Sequence, residues 1–373
     1  MSERIPERQH KPLPPGITLF ETFQPPEPIQ SLLWSPDGEM LAVGAQTRQF
    51  HIWSLESRAI IHSLESQSLL SNIIWSPDSR FLASGIWEKN IQIWNAKRGT
   101  VQVSLNHSSA VSSIDWASDS RLLATGSGDM IIRIWDLQRG RLLKKFEGHD
   151  DGIISLAWSP NGRLLASGSD DCTIRIWNVR TGTPVATLKG HDSEIISLLW
   201  SPDGRKLCSG SMEEMVVLWD AQTGKLLQRL EGYYGNRETL AWSSDGYTLA
   251  LGAWNETIHL IDSVTLTPIQ TLHGHADRIL ALDFSPKNTV LASKSNDNTV
   301  RLWDTVLWQE VATLEIAAKA VFGGLEFHPR FPLLAVCGGG DSRVSLWMLE
   351  PEILCETFGF IDISAALLGR EWQ

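Results

Sequence analysis

The sequence predicts an all-β chain in which one four-stranded antiparallel unit is repeated eight times and closed into a ring. Three observations carry that expectation. With 42% hydrophobic and 20% charged residues among 373, the chain has an ordinary globular composition and ample apolar surface for a core. Its aromatic residues are lopsided, 17 Trp against 11 Phe and 3 Tyr, which points to one Trp-bearing unit copied many times. The tryptophans also recur on a fixed period.

Two series of anchors define that period. The first is Trp34, Trp75, Trp116, Trp158, Trp200 and Trp242, continued by Phe284 and Phe327, in steps of 41 to 43 residues. The second is Trp53, Trp94, Trp135, Trp177 and Trp219, then Ile261, Trp303 and Trp347, in steps of 41 to 44. The two anchors of a unit are 19 residues apart, 20 in the last, and 13 of the 17 tryptophans lie on them. The repeat overrides the two or three domains that ~150 residues per domain would suggest.

The fourth unit shows how each strand is encoded. Ile154, Leu156 and Trp158 alternate with Ile153, Ser155 and Ala157, the period of a strand. Ser159-Pro160-Asn161-Gly162 fits a type I turn, with Pro second and Gly fourth. Leu164-Leu165-Ala166-Ser167 is a second strand of small residues, and Asp170-Asp171 marks a tight turn. Ile174 and Ile176 alternate with Thr173, Arg175 and Trp177 in a third strand. After the turn Arg180-Thr181-Gly182, Val185-Ala186-Thr187-Leu188 is a fourth. A four-stranded sheet of this size cannot bury both faces alone, so it stacks on its neighbours, and a ring of such sheets removes most exposed faces.

Gly-His stands ten residues before the first anchor at Gly148-His149, Gly190-His191 and Gly274-His275, and Trp-Asp closes the third strand at Trp135-Asp136, Trp219-Asp220 and Trp303-Asp304. With these dipeptides in register, the chain resembles the WD-repeat family. The resemblance implies a single closed β-propeller of four-stranded antiparallel blades. Eight blades are expected, and the alternative is seven with repeat 1 or repeat 8 displaced. The expected boundaries are a disordered arm over 1–15, the propeller over 16–359 and an extension over 360–373.

The resemblance also implies a structural tetrad of loop His, turn Asp, second-strand Ser or Thr and third-strand Trp. By position it is His149, Asp171, Ser167 and Trp177 in repeat 4, and His275, Asp297, Ser293 and Trp303 in repeat 7. Repeat 3 offers His107, Asp129, Thr125 and Trp135. Repeat 5 has His191, Ser209 and Trp219, with Glu213 in place of Asp. Repeats 1, 2, 6 and 8 lack the His and are expected to pack more loosely there. A Ser-His-Asp set invites a hydrolase reading, but a nucleophile is needed once whereas this set recurs on the repeat period. No catalytic residue, cofactor or metal site is therefore expected. His51, His62, His259 and His328 lack clustered partners, and Gly338-Gly339-Gly340 is read as a turn.

Two segments match the outer-strand slot of the closing blade. Leu19-Phe20-Glu21-Thr22-Phe23 and Leu354-Cys355-Glu356-Thr357-Phe358 agree at four of five positions. The family's habit implies that the N-terminal one closes the ring.

Charge and cysteines narrow the function. The formal net charge is −11, which disfavours a duplex-coating nucleic-acid binder. Cys172, Cys208, Cys337 and Cys355 are far apart and form no C-x-x-C pair. With no apolar signal core at the N-terminus and no apolar run long enough for a membrane span, the expected compartment is the cytoplasm, with no membrane partner.

The leading functional expectation is a non-enzymatic scaffold that binds a protein or peptide on the face carrying the Gly-His loops, the top. There, seven residues before the second anchor, stand Gln46, Trp87, Gly128, Asp170, Met212, Trp254, Asn296 and Gly340. A turn has no periodic reason to hold an indole, so Trp87 and Trp254 are candidate contacts, with Met212, Tyr233, Tyr234 and Arg237, residue types suited to interfaces. Asp150, Asp151, Asp170, Asp192, Glu194 and Glu214 give the same face an acidic sector, while the opposite turns of repeats 2 to 5 carry Arg80, Lys97, Arg98, Arg121, Arg139, Arg163, Arg180, Arg205, Lys206 and Lys225. The expected partner therefore carries basic residues beside an apolar anchor. The alternatives are the sensor of a signalling or defence system whose effector lies on another chain, and, behind it, a propeller hydrolase.

Overall fold

A computed structural model describes residues 16–45, 47–66, 73–85, 87–233, 239–316, 324–338 and 342–350. Gln46, Tyr234, Arg237, Gly340 and the C-terminal copy at 354–358 lie outside them.

The fourth repeat folds where its alternation places it. Its strands are Ile153–Trp158, Leu164–Ser169, Thr173–Asn178 and Thr183–Lys189, paired antiparallel in chain order. The first turn closes through Gly162 N–H donating to the Ser159 carbonyl at 2.8 Å, with Gly162 at φ 67, a conformation that costs glycine little. Among the described residues there are eight such sheets and no α-helix. Repeats 1 and 8 both form full blades, so the ring has eight rather than seven.

Burial explains the ring. The described core divides into eight apolar clusters, one between each pair of neighbouring blades. Between blades 4 and 5, for example, Ile174, Ile176 and Leu188 meet Leu198, Trp200 and Trp219. The cluster joining blades 8 and 1 sets Leu333, Val344 and Leu346 against Ile29, Trp34 and Trp53, and it closes the circle.

Blade 8 takes its outer strand from the other end of the chain. The N-terminal strand Ile17–Phe23 pairs antiparallel with Val344–Leu349, with Phe23 opposite Val344 and Ile17 opposite Leu349. Phe23 stacks on Trp53 of blade 1 at 5.2 Å, just as Phe146 of blade 3 stacks on Trp177 of blade 4 at 5.5 Å.

Inner strands are also stitched directly to one another. The Trp75, Trp158 and Trp200 indoles donate to the carbonyls of Leu33, Asp115 and Ala157 on the preceding blades. The carboxylates of Asp115, Asp283 and Glu326 accept the backbone N–H of Trp158, Phe327 and Trp34 on the following ones. His328 bridges the last seam, its Nε2 3.0 Å from the Gly38 carbonyl of blade 1. A Cβ on Gly38 would lie 2.2 Å from that ring, so no larger residue fits as the chain stands.

Candidate interaction surface at the channel mouth

Catalytic residue types meet in the recurring Ser-His-Asp sets and in one related set of blade 1, where His51 lies 2.9 Å from Ser63 Oγ and 3.1 Å from Glu27. In blade 4, His149 Nδ1 lies 2.7 Å from Asp171 and its Nε2 2.8 Å from Ser167 Oγ, which also accepts the Trp177 indole N–H at 2.8 Å. Blade 7 repeats this with His275, Asp297, Ser293 and Trp303 at 2.8 Å throughout. In blade 5, Glu213 reaches His191 at 2.8 Å, so the longer carboxylate completes the set. Blade 3 departs from expectation. His107 meets Thr125 at 2.8 Å but turns its Nδ1 to the Leu105 carbonyl, while Asp129 pairs with Arg133 at 2.6 Å. A cation beside Asp129 captures it, and the blade keeps only three members of the network.

Electrostatics fit a locking role. Burial lowers the His149 pKa, partly opposed by its hydrogen bond to Asp171. Burial works against Asp171 ionising, but hydrogen bonds from Thr173, the Asp150 N–H and His149 outweigh it and lower its pKa to about 2. Burial and Arg133 lower His107 to about 4. These histidines are neutral at physiological pH. Ser167, Ser209 and Ser293 are fully buried with their hydroxyls already shared between an indole and an imidazole, so no substrate reaches them.

Blades without the His are satisfied unevenly. In blade 2 Trp94 still donates to Ser84 at 2.9 Å. In blades 1 and 8 the serine position holds Val43 and Val336, and the buried Trp53 and Trp347 indole N–H groups have no acceptor among the described residues. The His259 imidazole of blade 6 bonds Thr257 and Thr271 instead.

The top face carries what remains. Trp87 is 63% exposed, Trp254 50% and Met212 49%, whereas every described anchor is buried or half-buried. Blades 2 and 6 are four apart in a ring of eight, so Trp87 and Trp254 stand on opposite sides of the mouth. Arg278, from the loop entering blade 7, lies over the Trp254 ring at 5.8 Å. Trp87 also adopts φ 70, the left-handed region. In six other blades the left-handed residue of this turn is five before the anchor (Met130, Cys172, Glu214, Glu256, Asn298, Ser342). Holding a bulky aromatic there costs on the order of 1–3 kcal/mol, a strain typical of functional positions.

A central cavity of about 800 Å³ opens between the inner strands. Trp87, Met212, Asp170 and Glu194 line it together with Asp283 and Glu326, and no Lys, Arg or His is among its described lining residues. Burial raises the Asp170 pKa, helped by the negative charges of Asp151, Glu194 and Asp171. Asp170 therefore lies within electrostatic reach of Asp151, Asp171 and Glu194. Asp150, Asp151, Asp192 and Glu214 are exposed on the top face, and Asp170 and Glu194 turn partly inward. Asp150 and Asp192 have a second task, since their N–H groups donate to the blade-locking carboxylates Asp171 and Glu213.

Tyr233 does not join the exposed aromatics. It is half-buried, its ring edge-on to His259 at 5.1 Å and packed on the cluster between blades 5 and 6. Its neighbours Tyr234 and Arg237 lie outside the described residues. Sequence reasoning passed over the channel carboxylates Asp283 and Glu326, which with Asp115 interrupt an otherwise apolar column immediately before the first anchor: Leu33, Ile74, Ala157, Leu199, Ala241. Burial, opposed by N–H donors from Phe327 and Phe284, raises the Asp283 pKa to about 7.

Comparison with known proteins agrees with this architecture. A family model for the IFT122 first beta-propeller matches residues 127–350. Models for the WD domain, G-beta repeat, match 59–95 and 99–136, and one for the anaphase-promoting complex subunit 4 WD40 domain matches 18–73. No curated protein matches the chain. Among solved structures, the computationally designed Ika8 protein superimposes with a TM-score of 0.75 at 23% identity, covering 87% of this chain and 97% of that one, a likeness of fold alone. The repeats, the His–Ser–Trp networks and the family models converge: the chain is a member of the WD-repeat β-propeller family, whose folds commonly serve as protein-interaction scaffolds and are generally non-catalytic.

Proposed function

We propose that this protein is a non-enzymatic scaffold that binds a protein or peptide segment on the top face, across the channel mouth. The observation that carries the reading is the pair of exposed turn indoles, Trp87 and Trp254, on opposite sides of a mouth bordered by carboxylates. Both indoles are largely exposed and stand off the packing period, and Trp is enriched at binding hot spots. The acidic sector of blades 4 and 5 favours a partner with Lys or Arg beside an apolar or aromatic anchor. The seats proposed for that anchor are Trp87, Met212 and Trp254, and Tyr234 and Arg237, outside the described residues, remain candidates from the sequence. The compartment proposed is the cytoplasm. A peptide array of single aromatics flanked by Lys/Arg, with Asp/Glu-flanked controls, tests the reading. Binding of the basic set, lost in Trp87→Ala/Trp254→Ala, is expected. Equal binding of both sets, or binding unaffected by the double substitution, refutes it.

A further inference from the structure

The face opposite the top changes character between blades 5 and 6. Its turns join the first strand of each blade to the second and the third to the fourth. Where the first of these turns ends, blades 2 to 5 hold Arg80, Arg121, Arg163 and Arg205, and blade 6 holds Tyr247. Three residues after the second anchor, blades 1 to 5 hold Glu56, Lys97, Gln138, Arg180 and Gln222. Blades 6 and 7 hold Val264 and Val306 there, and Leu307 follows Val306. Polar turn residues thus give way to apolar ones in two adjacent blades, on one face.

Tyr247, Val264, Val306 and Leu307 are 63% to 69% exposed, and among the described large apolar side chains only Trp87 is as open. Hydrogen bonds tie their turns together. The Ser263 N–H donates to the Tyr247 carbonyl at 2.8 Å within blade 6, and the Thr305 N–H to the Thr289 carbonyl at 3.3 Å within blade 7. Across the seam the Ser244 N–H donates to the Asn288 side chain at 2.6 Å, and Gln270 reaches the Trp308 carbonyl at 3.4 Å. The outer turns place Leu266 at φ 61 and Trp308 at φ 56, where blades 2 to 5 use glycine. Both are packed on blade clusters, which fixes the turns that present Val264 and Val306.

Cations border this patch on one side. A Cβ on Gly246 would meet Pro202 at 3.5 Å, so the first turns of blades 5 and 6 touch. On this face blades 4 and 5 carry Arg163, Arg180, Arg205, Lys206 and Lys225 against Asp203 and Asp220, and all but Lys206 of these cations are exposed. Arg205 lies 3.8 Å from Asp203, and Asp220 accepts the Gln222 and Thr223 N–H groups. Blades 6 and 7 have carboxylates of their own, but Asp245, Asp262 and Asp304 accept the N–H groups of Tyr247, Val264 and Val306 and so cap the turns.

We propose that this face is a second docking surface, for a protein segment in which an aliphatic anchor is flanked by Asp or Glu. The anchor lies over the branched side chains of Val264, Val306 and Leu307 beside Tyr247, and the acids reach the cations of blades 5 and 4. The surface is independent of the top face and selects the opposite charge, so the ring can hold two unlike partners at once.

Fluorescence anisotropy with the full chain and a short labelled peptide, two central leucines flanked by Asp and Glu, tests this. The peptide should bind the parent and the Trp87→Ala/Trp254→Ala protein alike, which separates this surface from the top one. Val306→Ser/Leu307→Ser should weaken binding at least about tenfold, as loss of interface anchors does. Arg205→Ala/Lys225→Ala should weaken it several-fold and flatten its salt dependence. All four side chains are exposed, so both variants should melt with the parent. The proposal is overturned if the parent does not bind the peptide, if binding ignores both of these variants, or if it is lost in Trp87→Ala/Trp254→Ala. A parent dimer that Val306→Ser/Leu307→Ser dissociates in sedimentation would assign the patch to a second copy and overturn it too, as would co-sedimentation with phosphatidylserine vesicles lost in the same variant.

Discussion

Trp177 and Trp254 are the same residue put to opposite uses. Trp177 sits on the repeat period, 1% exposed, its indole N–H held by Ser167 and its ring stacked on Phe146 of the preceding blade. Trp254 sits off the period on a turn, half its surface open and its face under Arg278 of the next blade. The blade interior needs the indole as volume plus one satisfied donor. At the channel mouth the indole keeps half its surface open beside Arg278 of the next blade. Periodicity thus separates Trp177 from Trp254, while Trp308, also off the period, still packs edge-on to Phe284 at 6.4 Å.

The comparison can be sharpened from the interior outwards. Trp177→Ala should have the largest effect, a loss of roughly 3–5 kcal/mol read by chemical denaturation, because it leaves a cavity between blades 3 and 4 and removes one donor from Ser167. Ser167→Ala keeps the volume and removes only the shared acceptor, so it should cost about 1–3 kcal/mol. It should affect stability alone, and an ester or lactone hydrolysis abolished by this substitution in a folded protein would break the locking account. Asp283→Asn should act in one pH direction. Its folded pKa is raised to about 7, so ionisation favours the unfolded chain progressively from about pH 4 to pH 7. The amide should leave the melting temperature unchanged near pH 4 and raise it at pH 8; an equal shift at both would contradict the assignment. The smallest effect is expected for Val336→Ser in blade 8. It offers the Trp347 N–H an acceptor in exchange for buried apolar contact, so stability should move by about 1 kcal/mol or less.

The sequence revealed the ring almost completely, because anchors and turns are set by local alternation and by a period that eight copies reinforce. Closure by the N-terminal strand was expected from the family's habit and not from the residues, since segments 19–23 and 354–358 match the outer-strand slot equally well in sequence. Interactions that depend on which side chain wins a contested partner were hidden. Asp129 occupies the network position, yet Arg133, four residues on, takes it. Glu213 looks like a defect, yet its extra methylene lets it reach His191. Tyr233 reads as an exposed loop aromatic, yet the loop turns it onto His259. Trp87, Met212 and Trp254 are exposed, as their turn positions suggest.

The central claim is that the off-period indoles serve binding and the on-period ones serve folding. Trp254→Ala and Trp177→Ala should therefore be measured side by side, by calorimetric titration with the best Lys/Arg-flanked aromatic peptide and by thermal unfolding of the same samples. The account predicts that Trp254→Ala weakens binding by about 2 kcal/mol or more, as truncated hot spots do, with its melting temperature nearly unchanged, and that Trp177→Ala collapses the melting temperature. A Trp254→Ala protein that binds as the parent does, or that unfolds as readily as Trp177→Ala, would contradict it.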